Sequence, residues 1–131
     1  MDTLKFDLVT PDAIFFSGQA NQVDVPGSEG EFGVLPGHAP LISAVKDGVV
    51  RVYTGKDAIR RLFVSGGIAE VRQESCTVLS ERVLDLDAMT RADAERELAR
   101  AENALDMAMD ETAKEDAIHA LELAKAVLAE F

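Results

Sequence analysis

The sequence predicts a mainly β plus α chain. A sandwich or barrel of short strands over residues 1–84 is followed by an antiparallel two-helix hairpin over residues 85–131. Three observations carry this reading. Alternating apolar and polar residues recur through the first 84 positions, with Gly, Pro, Asp or Ser between the runs. From Thr90 onward there is neither Gly nor Pro, and alanine becomes the commonest residue. Charge divides at the same place: residues 1–84 hold 8 Lys/Arg and 11 Asp/Glu, whereas residues 85–131 hold 5 and 13.

The strands are read in order. "KFDLVT" places Phe6 and Leu8 on one face, with Lys5 and Asp7 on the other. "NQVDVP" repeats the pattern with Val23 and Val25, and "LISAVK", "GVVRVYT", "RRLFVS", "GIAEVR" and "CTVLSE" follow. Asp47-Gly48 between two apolar runs is the strongest hairpin signal in the chain, and Gly55 with Lys56-Asp57 marks another turn. Eight or so strands at this spacing argue for a sandwich or barrel.

In the helical part Thr90 with Asp93 resembles a capping box. An apolar stripe follows at Ala94, Leu98, Ala101, Leu105 and Ala108. Asp110, Glu111 and Thr112 interrupt it. Thr112 with Glu115 reads as the cap of a second helix, whose stripe is Ala117, Leu121, Ala124 and Leu128. Two helices of about 18 residues would each be about 27 Å long, and a tight joint makes them antiparallel.

The bulk numbers exclude several classes. A chain of 131 residues with 47% hydrophobic residues can bury a core, and 5% aromatics with no Trp makes that core aliphatic. A formal net charge of −11 repels nucleic acid and anionic lipid, so nucleic acid is not an expected partner. One cysteine, Cys76, cannot form an intrachain disulfide and fits a reducing compartment. "MDTLKFD" has two acids and no apolar core, so it does not read as a signal peptide. The longest uncharged run, residues 33–45, contains two prolines and two glycines, and a spanning helix needs about 20 apolar residues. Direct membrane insertion is not expected, and any membrane association would come through a protein partner.

The stretch "GSEGEFGVLPGHAPL", residues 27–41, is too rich in turn formers for a regular element and too hydrophobic for a linker. It has neither the G-x-G-x-x-G nor the G-x-x-x-x-G-K-[ST] spacing, and its two glutamates would repel phosphate. Glu29, Glu31 and His38 could approach one another, but no H-x-x-x-H or H-E-x-x-H pair accompanies them, so no metal is expected. Cys76 sits in an apolar strand pattern and reads as inert packing, and Ser65-Gly66-Gly67 lacks the G-x-S-x-G elbow. No catalytic residue and no cofactor are therefore expected. The loop is either a tight structural turn or a stiffened docking surface.

Taken in order and spacing, "GSEGEFGVLPGHAPL", "VKDGVVRV", "FVSGGIAEV" and "CTVLSE" resemble the epsilon subunit of the bacterial rotary proton-translocating ATP synthase. The likeness extends over essentially the whole chain, in architecture more than in residues for the helical half. It implies a ten-stranded β-sandwich followed by the helical hairpin, and a non-catalytic place in the central stalk. The implied partners are the gamma subunit and the c-ring, with alpha and beta subunits reached through the hairpin. The implied location is the cytoplasmic face of the inner membrane, peripherally. Glu29, Glu31 and His38 would face the c-ring, and Thr10, His38 and Ser43 would lie against gamma.

Some members of that family bind ATP through an [IL]-D-x-x-R-A motif, which makes Asp87 and Arg91 the candidate nucleotide-binding residues. Here Leu86-Asp87 and Arg91-Ala92 enclose three residues, not two, which turns Arg91 by about 100° on a helix. Other members inhibit hydrolysis through basic residues of the hairpin. From Asp110 to Phe131 this chain has 2 basic and 6 acidic residues, which predicts weak inhibition or none. The alternative reading is an ATP-sensing regulatory subunit whose hairpin changes conformation.

Overall fold

The computed structural model describes residues 2–55 and 59–131. Ten strands come first: β1 Leu4–Val9, β2 Ile14–Ala20, β3 Gln22–Gly27, β4 Gly30–Val34, β5 Leu41–Val45, β6 Gly48–Tyr53, β7 Ile59–Val64, β8 Gly67–Val71, β9 Ser75–Leu79 and β10 Val83–Asp85. A 3-10 turn, Leu86–Ala88, leads to helices α1 Arg91–Met107 and α2 Glu111–Leu128. The mainly β plus α class, a ten-stranded sandwich and two C-terminal helices, is the one that the sequence predicts.

The strands run in the order β10-β7-β6-β3-β5-β8-β9-β1-β2, with β4 paired to the other side of β3. One register pair, Gly27 with Val45, joins the two halves of this sheet. β1 and β9 are parallel, and the other pairings are antiparallel. Inward-facing residues of both halves meet in one core that includes Phe6, Leu8, Val25, Val50, Leu62 and Val78. Period-2 burial on β1 shows the mechanism: Leu4, Phe6 and Leu8 are buried, and Lys5, Asp7 and Val9 are half-buried on the outside.

Three strands were not legible as runs. β2 (IFFSGQA) carries a register irregularity opposite Leu8 and Val9 that spoils its alternation. β4 (GEFGV) holds two glycines and is a strand because β3 pairs with it along Val23–Val34 to Gly27–Gly30. The first half of the glycine-rich stretch is therefore a hairpin arm, and not irregular as its composition suggested. β10 has only three residues, held by β7.

The hairpin expected at Asp47-Gly48 does not form. β5 pairs with β8, and β6 pairs with β3 and β7. Gly48 is small for another reason: a Cβ there would lie 2.9 Å from the Pro26 ring. The turn expected after Gly55 lies, from Lys56 on, outside the described residues.

The chain divides into two compact units, 1–87 and 88–131. The boundary inferred from sequence, 84/85, falls inside β10, whose Asp85 pairs with Leu62. In the second unit Thr90 caps α1 in a full capping box, as the spacing predicts. The Thr90 N–H donates to Asp93 Oδ2 at 2.9 Å, and this bond, with the Thr90 hydroxyl, holds the Asp93 carboxyl below its usual range. α2 is capped by Asp110, which accepts from the Ala113 N–H at 2.7 Å, and not by Thr112. Asp110 precedes the first helical residue, and an N-cap must sit there to reach the orphan amides. The helices pack on each other, with Ala94, Ala101, Ala117 and Ala124 buried.

Candidate functional site

Among the described residues no three His, Cys, Asp or Glu side chains could hold a metal ion. Cys76 is fully buried on β9, and burial pushes its thiol up to about 12. What the β unit offers is surfaces.

The first is a cleft of about 490 Å³ between the β3–β4 hairpin and β5. Gly27 pairs with Gly30, which leaves Ser28 and Glu29 at the exposed hairpin tip. Glu29, Glu31 and Ser43 all line the cleft, with Phe32, Leu41 and Ile42 supplying its apolar part. Glu31 lies 3.7 Å from Arg51 of β6, an exposed pair of the kind worth at most about 1 kcal/mol. Ser43 is half-buried, and its hydroxyl donates to the Ala44 carbonyl at 2.9 Å.

His38 is not among the cleft residues. It ends a turn in which its N–H donates to the Leu35 carbonyl at 3.1 Å, and its Nδ1 lies 2.7 Å from the Ala39 carbonyl. Gly37 N–H ties this loop to the Gln73 carbonyl at 2.7 Å. The second half of the glycine-rich stretch is thus stapled beside the β8–β9 connection. Thr10 lies in the β1–β2 turn, where its backbone N–H donates to Ala13 at 2.9 Å and its hydroxyl accepts from the Ala13 N–H at 3.2 Å.

The second surface was missed by reading the strands one at a time. On the outer face of β5-β8-β9-β1-β2, Ala44 pairs with Ile68, Ile68 with Leu79, Leu79 with Val9, and Val9 with Ile14. Paired residues point the same way, so these five form one apolar row across five strands. Ile68 is 55% exposed, Leu79 46% and Ile14 71%. Thr10 follows Val9 at the end of β1, at this row's margin, whereas Ser43 pairs with the buried Ala69 and so points to the opposite face of β5 from Ala44. The signal in the sequence is one apolar residue per strand on the polar face, but its meaning depends on the register between non-consecutive strands.

Asp87 is engaged within the β unit. Its carboxylate accepts the Arg61 backbone N–H at 2.9 Å and pairs with Arg61 Nε at 3.3 Å, while its own N–H donates to Asp85. Arg60 pairs with Asp85 at 3.0 Å beside it. Arg91 is exposed at the first position of α1. The Asp87 carboxylate thus has a structural role that nucleotide binding would have to displace.

A ten-stranded β-sandwich followed by a two-helix hairpin, with exposed faces on the sandwich, defines the class of fold. Residues 3–85 match the family described as ATP synthase, Delta/Epsilon chain, beta-sandwich domain. The chain is 41% identical over 128 residues to the ATP synthase epsilon chain of Rhodospirillum rubrum, covering 98% of this chain and 96% of the relative. It is 48% identical over 94 residues to that of Rhodospirillum centenum, covering 70% and 64%. The fold is similar to a chain of the Euglena gracilis mitochondrial ATP synthase structure (OSCP/F1/c-ring), with a TM-score of 0.78, 20% identity and coverage of 98% and 81%. A chain of the Tetrahymena thermophila mitochondrial central stalk and c-ring structure has a TM-score of 0.66 at 12% identity, covering 95% and 96%. The chain belongs to the ATP synthase epsilon-chain family, whose members are non-catalytic subunits of the complex.

Proposed function

We propose that this chain couples rotation of the c-ring to ATP synthesis through gamma, as a central-stalk subunit. The apolar row on the outer face of β5-β8-β9-β1-β2 carries this reading. It is an exposed aliphatic surface that a monomer in water would not favour, and Thr10 at its margin is a gamma contact, as is Ser43 on the cleft side of β5. The cleft beside the β3–β4 hairpin is the second dock. Glu29 and Glu31 on its rim meet basic groups in the polar loops of the c-ring, and His38 in the loop stapled beside the β8–β9 connection contacts both the ring and gamma. The chain is held peripherally at the cytoplasmic face of the inner membrane by these contacts. Among the described residues no helix is long and apolar enough to cross a membrane.

The hairpin reaches the alpha and beta subunits but inhibits hydrolysis weakly or not at all, since its second helix is acidic. The ATP-sensing alternative is disfavoured by the engagement of Asp87 with Arg61. Isothermal titration of the full chain with ATP and Mg²⁺ is expected to give no binding heat.

The test of the coupling role is reconstitution of the membrane complex with wild type or with the Glu31→Arg/His38→Ala double variant, read as ATP-driven proton pumping. The expected result is retained binding to gamma with reduced or uncoupled pumping. Full pumping by the variant would reduce the loop to a structural turn.

A further inference from the structure

We propose that Arg60 and Arg61 form a two-sided clasp, which holds the chain on the sandwich as far as Asp87 and leaves Ala88 and Met89 as the swivel of the helical unit. This device does not depend on which partners the sandwich meets. It starts from the shortness of β10, an edge strand of three residues whose ladder with β7 ends at the Asp85–Leu62 pair. As the chain turns off the sheet, the next amide along β7, that of Arg61, would be left open. The Asp87 carboxylate takes the place of the missing carbonyl and accepts that N–H at 2.9 Å. The same carboxylate meets Arg61 Nε at 3.3 Å, and the Asp87 N–H donates back to Asp85 Oδ1 at 3.1 Å. The 3-10 turn is thus tied at both of its ends.

The grip comes from both faces of β7. Arg60 pairs in register with the buried Val52 and so faces inward, at the rim of the core. Its guanidinium lies 5.9 Å from the centre of the Phe16 ring and 3.0 Å from Asp85 Oδ2. Arg61, the next residue, faces the other way. Leu86 sits between the two aspartates and is 1% exposed, so an apolar plug is held under the clasp. Each ion pair is about one third exposed, and either one alone would hold little. Two pairs, two backbone N–H bonds to carboxylates and a buried leucine all act on three consecutive residues.

The swivel is what remains. Thr90 and Asp93 close the start of α1 on itself, with the Asp93 N–H donating to the Thr90 hydroxyl at 3.1 Å. Only Ala88 and Met89 lie between that box and the clasp, and the division into compact units falls there, between Asp87 and Ala88. Three residue steps from Asp87 to Thr90 reach at most about 10 Å, whereas five steps from Asp85 reach about 17 Å. The closed clasp therefore shortens the tether of the helical unit by about 7 Å.

The test uses the full chain and two readouts. Hydrogen–deuterium exchange follows the Arg61 and Asp87 amides. Spin labels at Glu74→Cys and Glu115→Cys, exposed positions in the two units, report the distribution of distances between them. Asp87→Ala should speed exchange at Arg61 at least tenfold and widen the distribution by several ångströms. Asp87→Asn keeps an acceptor for the amide without the charge and should fall between the two. Two glycines inserted after Ala88 should widen the distribution while exchange at Arg61 and Asp87 stays within threefold. Protection of the Val50 and Leu62 amides shows that each variant remains folded, and the insertion carries the test if Asp87→Ala does not. An Arg61 amide that exchanges as fast in the wild type as in Asp87→Ala overturns the clasp. Faster exchange with unchanged distances, or an insertion that leaves the distances as they were, overturns the swivel.

Discussion

Replacing Gly67 with alanine tests how tightly β8 and β9 are held beneath the docking face. Gly67 has φ +128°, and an added Cβ would stand 2.1 Å from the Leu79 carbonyl oxygen and 3.0 Å from its carbon and from Ser80 Cα. These are backbone atoms and cannot swing away. Gly30 is the matched control: φ is +131°, yet nothing lies within 4 Å of its Cβ position. Both variants carry the same backbone strain, about 1–3 kcal/mol. Gly67→Ala adds a forced movement of β9, about 1–3 kcal/mol more or higher. The gap between the two is therefore about 2 kcal/mol, which for a domain of this size is a difference in Tm of roughly 8–16 °C. Thermal and urea unfolding of both purified variants provide the measurement. Because Ile68 and Leu79 border the site, Gly67→Ala should also loosen the apolar row and weaken partner binding. Equal destabilisation by the two substitutions would refute the steric argument and leave only backbone strain.

Four further outcomes are expected. Asp110→Ala removes the α2 cap and should cost the helical unit about 1 kcal/mol, against a few tenths for Thr112→Ala, measured by helical circular dichroism on melting. Cys76 should resist thiol reagents at pH 8 in the folded chain and react at once in urea. Its raised pKa also sets a pH dependence with a defined sign. Below the ordinary thiol value near 9.0 both states are neutral and Cys76 adds none. Between there and about 12 the unfolded thiol ionises while the folded one does not, so stability falls by up to about 1.4 kcal/mol per pH unit. A Cys76→Val variant measured alongside should lack that component. Deletion of residues 88–131 should leave ATP hydrolysis by the reconstituted complex within about twofold of the full-length value; strong activation would show an inhibitory hairpin.

Much of the architecture was legible because it follows from short-range pattern. Phe6 and Leu8 alternate with Lys5 and Asp7, and the Thr90–Asp93 box is a contact three residues long. Strands whose identity is conferred by a neighbour were not legible. β4 is a strand because β3 pairs with it, despite Gly30 and Gly33, and β10 because β7 does. Asp47-Gly48 misled for the same reason. The dipeptide suits a hairpin locally, yet β5 and β6 each find better pairing elsewhere, and Gly48 answers to Pro26. Of the candidate site, Glu29 and Glu31 could be singled out from composition, but their convergence on a cleft with Ser43 could not.

By itself the sequence determined the two-part class, the aliphatic core, the inert cysteine and the acidic hairpin, since each depends on residue type or on spacings within one turn or one strand. The tertiary structure alone decided the apolar row. Ala44, Ile68, Leu79, Val9 and Ile14 come from five strands in a non-sequential order, and only the register of long-range hydrogen bonds brings them side by side on one face. It also decided the fate of Asp87. Within a motif its carboxylate is a free ligand, and in the fold it belongs to Arg61, which is 26 residues away along the chain.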